Sequence, residues 1–143
     1  MQDNRARSQY GVIRGLHYQL NPAAQAKLVS VSFGAVVDAV VDLRSGSPTY
    51  GQSFSIVLSA ENKKQLLVPR GFAHGYGVIT KVAEFQYKCD NYYSKADERG
   101  IHPVKNGFNI DWQIDSVNIQ LSEKDKNAPD FESCEHNFEY AKR

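Results

Sequence analysis

From residue 27 to residue 43 the chain reads KLVSVSFGAVVDAVVDL, and its hydrophobic residues recur with a period of two on both sides of one glycine. A period of two sends alternate side chains to opposite faces of a strand, whereas a helix needs spacings of three and four. In the first run Leu28 lies opposite Val29 and Val31. In the second, Val37, Ala39, Val41 and Leu43 share one face, and Val36, Asp38, Val40 and Asp42 share the other. Gly34 between them is a natural turn.

The same pattern continues along the chain. Phe54, Ile56 and Leu58 line one face of a strand, and residues 66–69 form a short strand stopped by Pro69. Residues 76–80 and 82–90 read as a hairpin, with Ala83, Phe85, Tyr87 and Cys89 facing one way and Glu84, Gln86 and Lys88 the other. Residues 60–64 make one helical turn at most, and the stretch from Asn127 reads as a helix or an extended arm. Many short strands with turn residues between them predict an all-β sandwich or barrel. A dinucleotide-binding α/β fold is excluded, because no G-x-G-x-x-G is present and strands do not alternate with helices.

The chain has 143 residues, 41% hydrophobic and 23% charged, enough for one domain with a core and an enclosed pocket. Seventeen basic and 16 acidic residues leave a net charge of +1, so the basic excess of a nucleic-acid binder is missing. The mixed charges at 122–126 read as a solvated loop. No apolar run reaches the ~18–20 residues a membrane span needs, and the polar N-terminus has no signal-peptide core. Cys89 and Cys134 form no CxxC pair; Cys89 reads as a small buried thiol, Cys134 falls in a polar tail, and a disulfide between them is left open. A reducing cytoplasm is the expected location.

Four segments could carry chemistry. RGLHYQ at 14–19 sets a cation, a glycine and an imidazole together. As a regular strand it puts Arg14 and Leu16 on one face and Gly15 and His17 on the other. PRGFAHG at 69–75 places His74 between small residues, either near a ligand or at the edge of a tight turn. Tyr87 either packs or serves as an acid, since a phenol keeps its proton at neutral pH. Tyr92 and Tyr93 point to opposite faces of a strand, so one packs while the other presents its ring. The fourth segment is LSEKDKNAP at 121–129. Two histidines on separate strands raise the question of metal, but each segment holds one histidine only, and the expected metal set is none.

Taken together these segments resemble the dTDP-4-dehydrorhamnose 3,5-epimerase family. The resemblance rests on QDN at 2–4, GVIRGLHYQ at 11–19, KLVSVSFGAVVDAVVDLRSGSPTYG from 27, LSAENKKQLLVPRGFAHGYGV from 58, AEFQYKCDNYYS from 83, IDW at 110–112 and LSEKDKNAP from 121. It implies a cupin-type jelly-roll β-sandwich in one domain, with short helical segments towards the C-terminus. It also implies a homodimer and a chemistry that needs no cofactor.

The implied substrate is dTDP-4-keto-6-deoxyglucose, whose C3 and C5 protons are acidic because each lies beside the C4 ketone. By resemblance His17 is the base, Asp125 the carboxylate that orients it, Tyr87 the acid on the opposite face, and Lys27 the cation near the oxyanion. Arg14 matches a diphosphate ligand, Tyr93 a ring that stacks on thymine, and Gln2, Asp3, Asn4, His74, Glu98 and Lys124 match further substrate contacts. Two departures stand out. Family members carry several tens of residues before QDN, and Ala26 stands where they commonly have glycine. The competing readings are a mono-epimerase on a related keto sugar, a non-catalytic sugar-nucleotide-binding cupin, and a metal-dependent cupin.

Overall fold

A computed structural model of the chain describes residues 1–105 and 107–141. Within these residues nine strands form two antiparallel sheets: β1 (Gln2–Gln9), β2 (Ile13–Gln19), β3 (Lys27–Phe33), β4 (Ala35–Asp42), β5 (Ser53–Ser59), β6 (Leu66–Val68), β7 (Phe72–Val78), β8 (Val82–Cys89) and β9 (Glu98–Gly100). One sheet has the order β1-β8-β3-β6 and the other β5-β4-β7-β2-β9. The chain crosses between sheets at every connection except the β4–β5 hairpin, which is jelly-roll behaviour. The expected all-β sandwich is therefore the architecture found.

The expected hairpin across residues 76–90 is not. β7 pairs with β4 and β2, while β8 pairs with β1 and β3 in the other sheet. Alternation fixes which face a side chain takes but not which strand lies beside it. At this corner the Thr80 hydroxyl donates to the Val82 carbonyl at 2.8 Å and accepts from the Ala35 N–H at 3.0 Å, so the chain turns away from its own sheet.

β4 explains its own composition. Residues 36–43 are buried on both faces, because two cores flank the five-stranded sheet. Between the sheets pack Val29, Val31, Val36, Leu58, Val78 and Phe85. On the outer side Val37, Ala39, Val41 and Leu43 meet Ile13, Leu16, Tyr18, Trp112 and Phe138. The tail that covers this side is an extended arm, one of the two expected forms, and Cys134 in it packs against the outer core. Cys89 and Cys134 are both free thiols.

Two aspartates interrupt the apolar inner face of β4, and a buried carboxylate is tolerated only with partners. Asp42 accepts from the Arg44 guanidinium (2.9 Å), Ser47 (2.6 Å) and Thr49 (2.6 Å). Burial alone would raise its pKa, but these bonds outweigh burial and hold the carboxyl well below the usual range. Asp38, the second, belongs to the site described next.

Among the described residues helix is confined to a 3₁₀ turn at Ser116–Asn118 and to α1 (Glu123–Lys126), both towards the C-terminus as expected. The segment read as a solvated loop is thus a helical turn, and its Asp125 is 3% exposed. Ser122 caps it by accepting the Asp125 N–H at 3.1 Å.

Candidate active site

The site is built where β2 departs from regular alternation. Arg14 lies opposite Tyr76 and His17 opposite His74, so three steps on β2 match two on β7. The extra residue rotates Arg14 and His17 onto the same face, overturning the expectation that they oppose each other. Gly15 makes this possible. Its φ is +133°, and a Cβ there would stand 2.6 Å from the Gly75 Cα. The PRGFAHG segment is likewise not a tight turn: His74 sits inside β7.

His17 Nε2 lies 2.7 Å from Asp125 Oδ1, and the other Asp125 oxygen accepts the Gly15 N–H at 3.2 Å. Burial would raise the Asp125 pKa, but the bonds from His17, Gly15 and Ser122 lower it overall. An ionised carboxylate only accepts, so Nε2 carries the hydrogen and Nδ1 keeps its lone pair. The imidazole is thereby left as a base whose protonated form has a counter-charge waiting.

A second pair sits deeper. His74 Nε2 is 3.0 and 2.8 Å from the two oxygens of Asp38. Both side chains are buried, and the His74 ring stacks on Phe85 at 5.9 Å. The sequence reading named His74 but gave it no partner. The available signal was Asp38, flanked by Val36 and Val40 on the inner face of β4.

The opposite wall comes from the other sheet. Tyr87 on β8 has its pKa raised, first by burial and then by Cys89, Tyr76 and Glu98, so the phenol holds its proton. Lys27 on β3 stands over the Tyr87 ring at 5.6 Å. Burial pushes its pKa down, against the opposing pull of Cys89, Asp38 and Glu98. A cation that has lost water interacts more strongly with charge arriving beside it.

Two lobes meet at these residues. One, of ≈ 320 Å³, is lined by Arg14, His17, Lys27, His74, Tyr76 and Tyr87. The other, of ≈ 310 Å³, is lined by Gln2, Asn4, His17, Lys27, Tyr87, Tyr93 and Glu98. His17, Lys27 and Tyr87 belong to both. A larger hollow of ≈ 470 Å³ on the outer face of the four-stranded sheet holds no histidine.

Tyr93 forms part of the rim of the outer lobe. It stands in an irregular loop after β8 rather than in the expected strand, and Tyr92 and Tyr93 are both exposed. Its hydroxyl donates to Glu98, whose second oxygen pairs with Lys124. Those bonds lower the Glu98 pKa although burial opposes them. Gln2 and Asn4 share the cleft face of β1. Asp3 points the other way, pairs with Lys88 at 3.7 Å and lines neither lobe; Lys124 and Asp125 also line neither, but they bond to Glu98 and His17, which do. Among the described residues, no three His, Cys, Asp or Glu side chains group as a metal site, and no helix is long and apolar enough to cross a membrane.

An imidazole backed by a buried carboxylate on one sheet faces a protonated phenol and a desolvated lysine on the other, a jelly-roll cleft whose groups have the chemistry for proton transfer. Comparison with known proteins narrows the class. The sequence profile described as dTDP-4-dehydrorhamnose 3,5-epimerase matches residues 1–133. A Shigella flexneri protein of that name is 49% identical over 136 residues, covering 95% of this chain and 74% of the relative. The crystal structure of the Elizabethkingia anophelis enzyme of that name superposes with a TM-score of 0.90 at 51% identity, covering 92% of this chain and 72% of that one. The Legionella pneumophila dTDP-6-deoxy-D-glucose-3,5-epimerase, solved in complex with dTDP-4-keto-L-rhamnose, gives 0.88 at 48% identity, covering 93% and 70%. The chain belongs to the dTDP-4-dehydrorhamnose 3,5-epimerase family and is an isomerase.

Proposed function

We propose that this chain inverts C3 and C5 of dTDP-4-keto-6-deoxyglucose to give dTDP-4-keto-L-rhamnose, a step of rhamnose and polysaccharide synthesis. The observation that carries the reading is the placement of His17 and Tyr87 on different sheets across one cavity. Packed sheets stand about 10 Å apart, room for one sugar ring with a group on each side.

His17 takes the proton from C3, and the electron pair moves onto the C4 carbonyl oxygen as an enolate. The Lys27 ammonium stabilises that oxygen. Tyr87 delivers a proton to C3 from the opposite face while the enolate collapses to the ketone. The tyrosinate regains a proton, and His17 gives up its own to solvent. The same cycle at C5 completes the double inversion. Asp125 holds the tautomer and offsets the imidazolium charge. Arg14 engages the diphosphate bidentately, Tyr93 stacks on the base, and Gln2, Asn4, His74, Glu98 and Lys124 complete the contacts. Asp3 takes no such part.

We also assign a cytoplasmic location, which two free thiols support. One catalytic domain and a homodimer complete the assignment. The exposed Leu28, Phe33 and Leu67 on the four-stranded sheet support an assembly through its outer face. Incubation with the keto sugar in deuterated water, followed by NMR, tests the reaction. Deuterium at both carbons, lost in His17→Ala, is expected. Exchange at C3 alone identifies a mono-epimerase, and binding without exchange a non-catalytic cupin.

A further inference from the structure

One buried polar side chain is fully engaged yet has no part in the proton transfers. Gln19 ends β2 and is 4% exposed. Its amide nitrogen donates to the carbonyls of Ala23 (2.7 Å) and Tyr92 (3.2 Å), and its oxygen accepts the Ser94 N–H (2.8 Å). All three bonds go to main chain, and two of them flank Tyr93. Between β8 and β9 the chain is irregular, so no strand ladder holds this loop. The Tyr93 ring is 56% exposed, so packing does not hold it either. The ends of the loop are tied down, Asn91 by a bond from Gln25 (2.8 Å) and Ser94 by its own bond to Asp97 (2.7 Å). At Tyr93 itself the bonds are those of Gln19 on either side, the Gln2 oxygen accepting the Tyr93 N–H at 3.2 Å, and Glu98 accepting the hydroxyl. Gln19 and Glu98 face each other across the β2–β9 ladder, so one strand pair fixes both the loop's backbone and the ring's far end.

We propose that Gln19 is a positioning residue for nucleotide recognition, holding the Tyr93 ring as the flat wall of the outer lobe. The proposal rests on the reading of Tyr93 as the base-stacking residue. An amide is required because the position must both donate and accept. Methionine would leave two carbonyls and an N–H without their partner. Glutamate would keep the Ser94 bond but set an anionic oxygen against two carbonyls.

The test uses the 143-residue chain with dTDP and dTDP-4-keto-6-deoxyglucose. In Gln19→Met the Kd for dTDP and the KM rise about 10-fold, the equivalent of one lost hydrogen bond. The kcat at saturation stays within about 2-fold, because only uniform binding is lost. In a Tyr93→Ala background the Gln19→Met change adds little, since the wall is already absent. Gln19→Glu weakens dTDP binding at least as much, because its carboxylate repels the two carbonyls, and it carries the same comparison if Gln19→Met does not fold by circular dichroism. Tyr93→Ala with unchanged dTDP affinity overturns both the stacking reading and this inference. Weakened binding in Tyr93→Ala, together with unchanged binding in Gln19→Met or penalties that add in full, overturns the inference alone.

Discussion

Replacing Asp125 by asparagine tests the central claim with little change of shape. The amide oxygen can still accept the Gly15 N–H, so the bulge keeps its anchor. What is lost is the charge 2.7 Å from His17 Nε2. A hydrogen bond to a charged group contributes about 1.5–3 kcal/mol, which is roughly 10- to 150-fold in rate if the loss falls in the transition state. The amide adds a second effect. Its NH₂ facing Nε2 would select the tautomer with hydrogen on Nδ1 and remove the lone pair that accepts the substrate proton. Inverting a tautomer in a hydrolase triad costs about 10⁴ in kcat. The expected fall in kcat for Asp125→Asn is therefore about 10²–10⁴-fold, with KM within about 3-fold of the parent. Deuterium uptake at C3 and C5, timed by NMR, reads it. A kcat within about 10-fold of the parent would show that the Asp125 carboxylate is dispensable, and the argument from the buried pair would fail.

Two further outcomes follow from the same geometry. Tyr87→Phe removes the proton donor of one wall but leaves His17 in place. It should still exchange C3 hydrogen for deuterium with retention while inversion slows about 10²–10⁴-fold, and inversion at the parent rate would assign the acid elsewhere. Asp42 has a folded-state pKa below its unfolded value, so its contribution to stability is full above about pH 4 and is lost as pH falls through the folded pKa. Asp42→Asn should lower stability at pH 7 by about 3–5 kcal/mol and flatten the fall in thermal midpoint between about pH 4 and pH 2, and an unchanged acid limb by calorimetry would refute it.

Much of this molecule was legible in the chain itself. Period-two patterning located β3 to the residue and β4 to within one, and residue type marked Tyr87 as a possible acid and His17 as a possible base, while Lys27 was marked only by the family resemblance. These properties are local, set by pleat geometry and by the chemistry of one side chain. Partnership is not local. Asp38 and His74, 36 positions apart, and His17 and Asp125, 108 positions apart, meet only when the sandwich forms. A one-residue bulge at Arg14–His17, invisible to any alternation rule, decides which face the base takes. The loop reading of residues 122–126 failed for a related reason: charge pattern predicts solvation unless a distant strand supplies a donor, and here Gly15 and His17 do. The sequence by itself determined β3, β4, β5 and β8, but not β1, β9 or the full extent of β7, and it determined the available acids and bases. The tertiary structure alone decided that they meet, because bringing such distant groups together depends on burying two sheets against each other rather than on any neighbour in the chain.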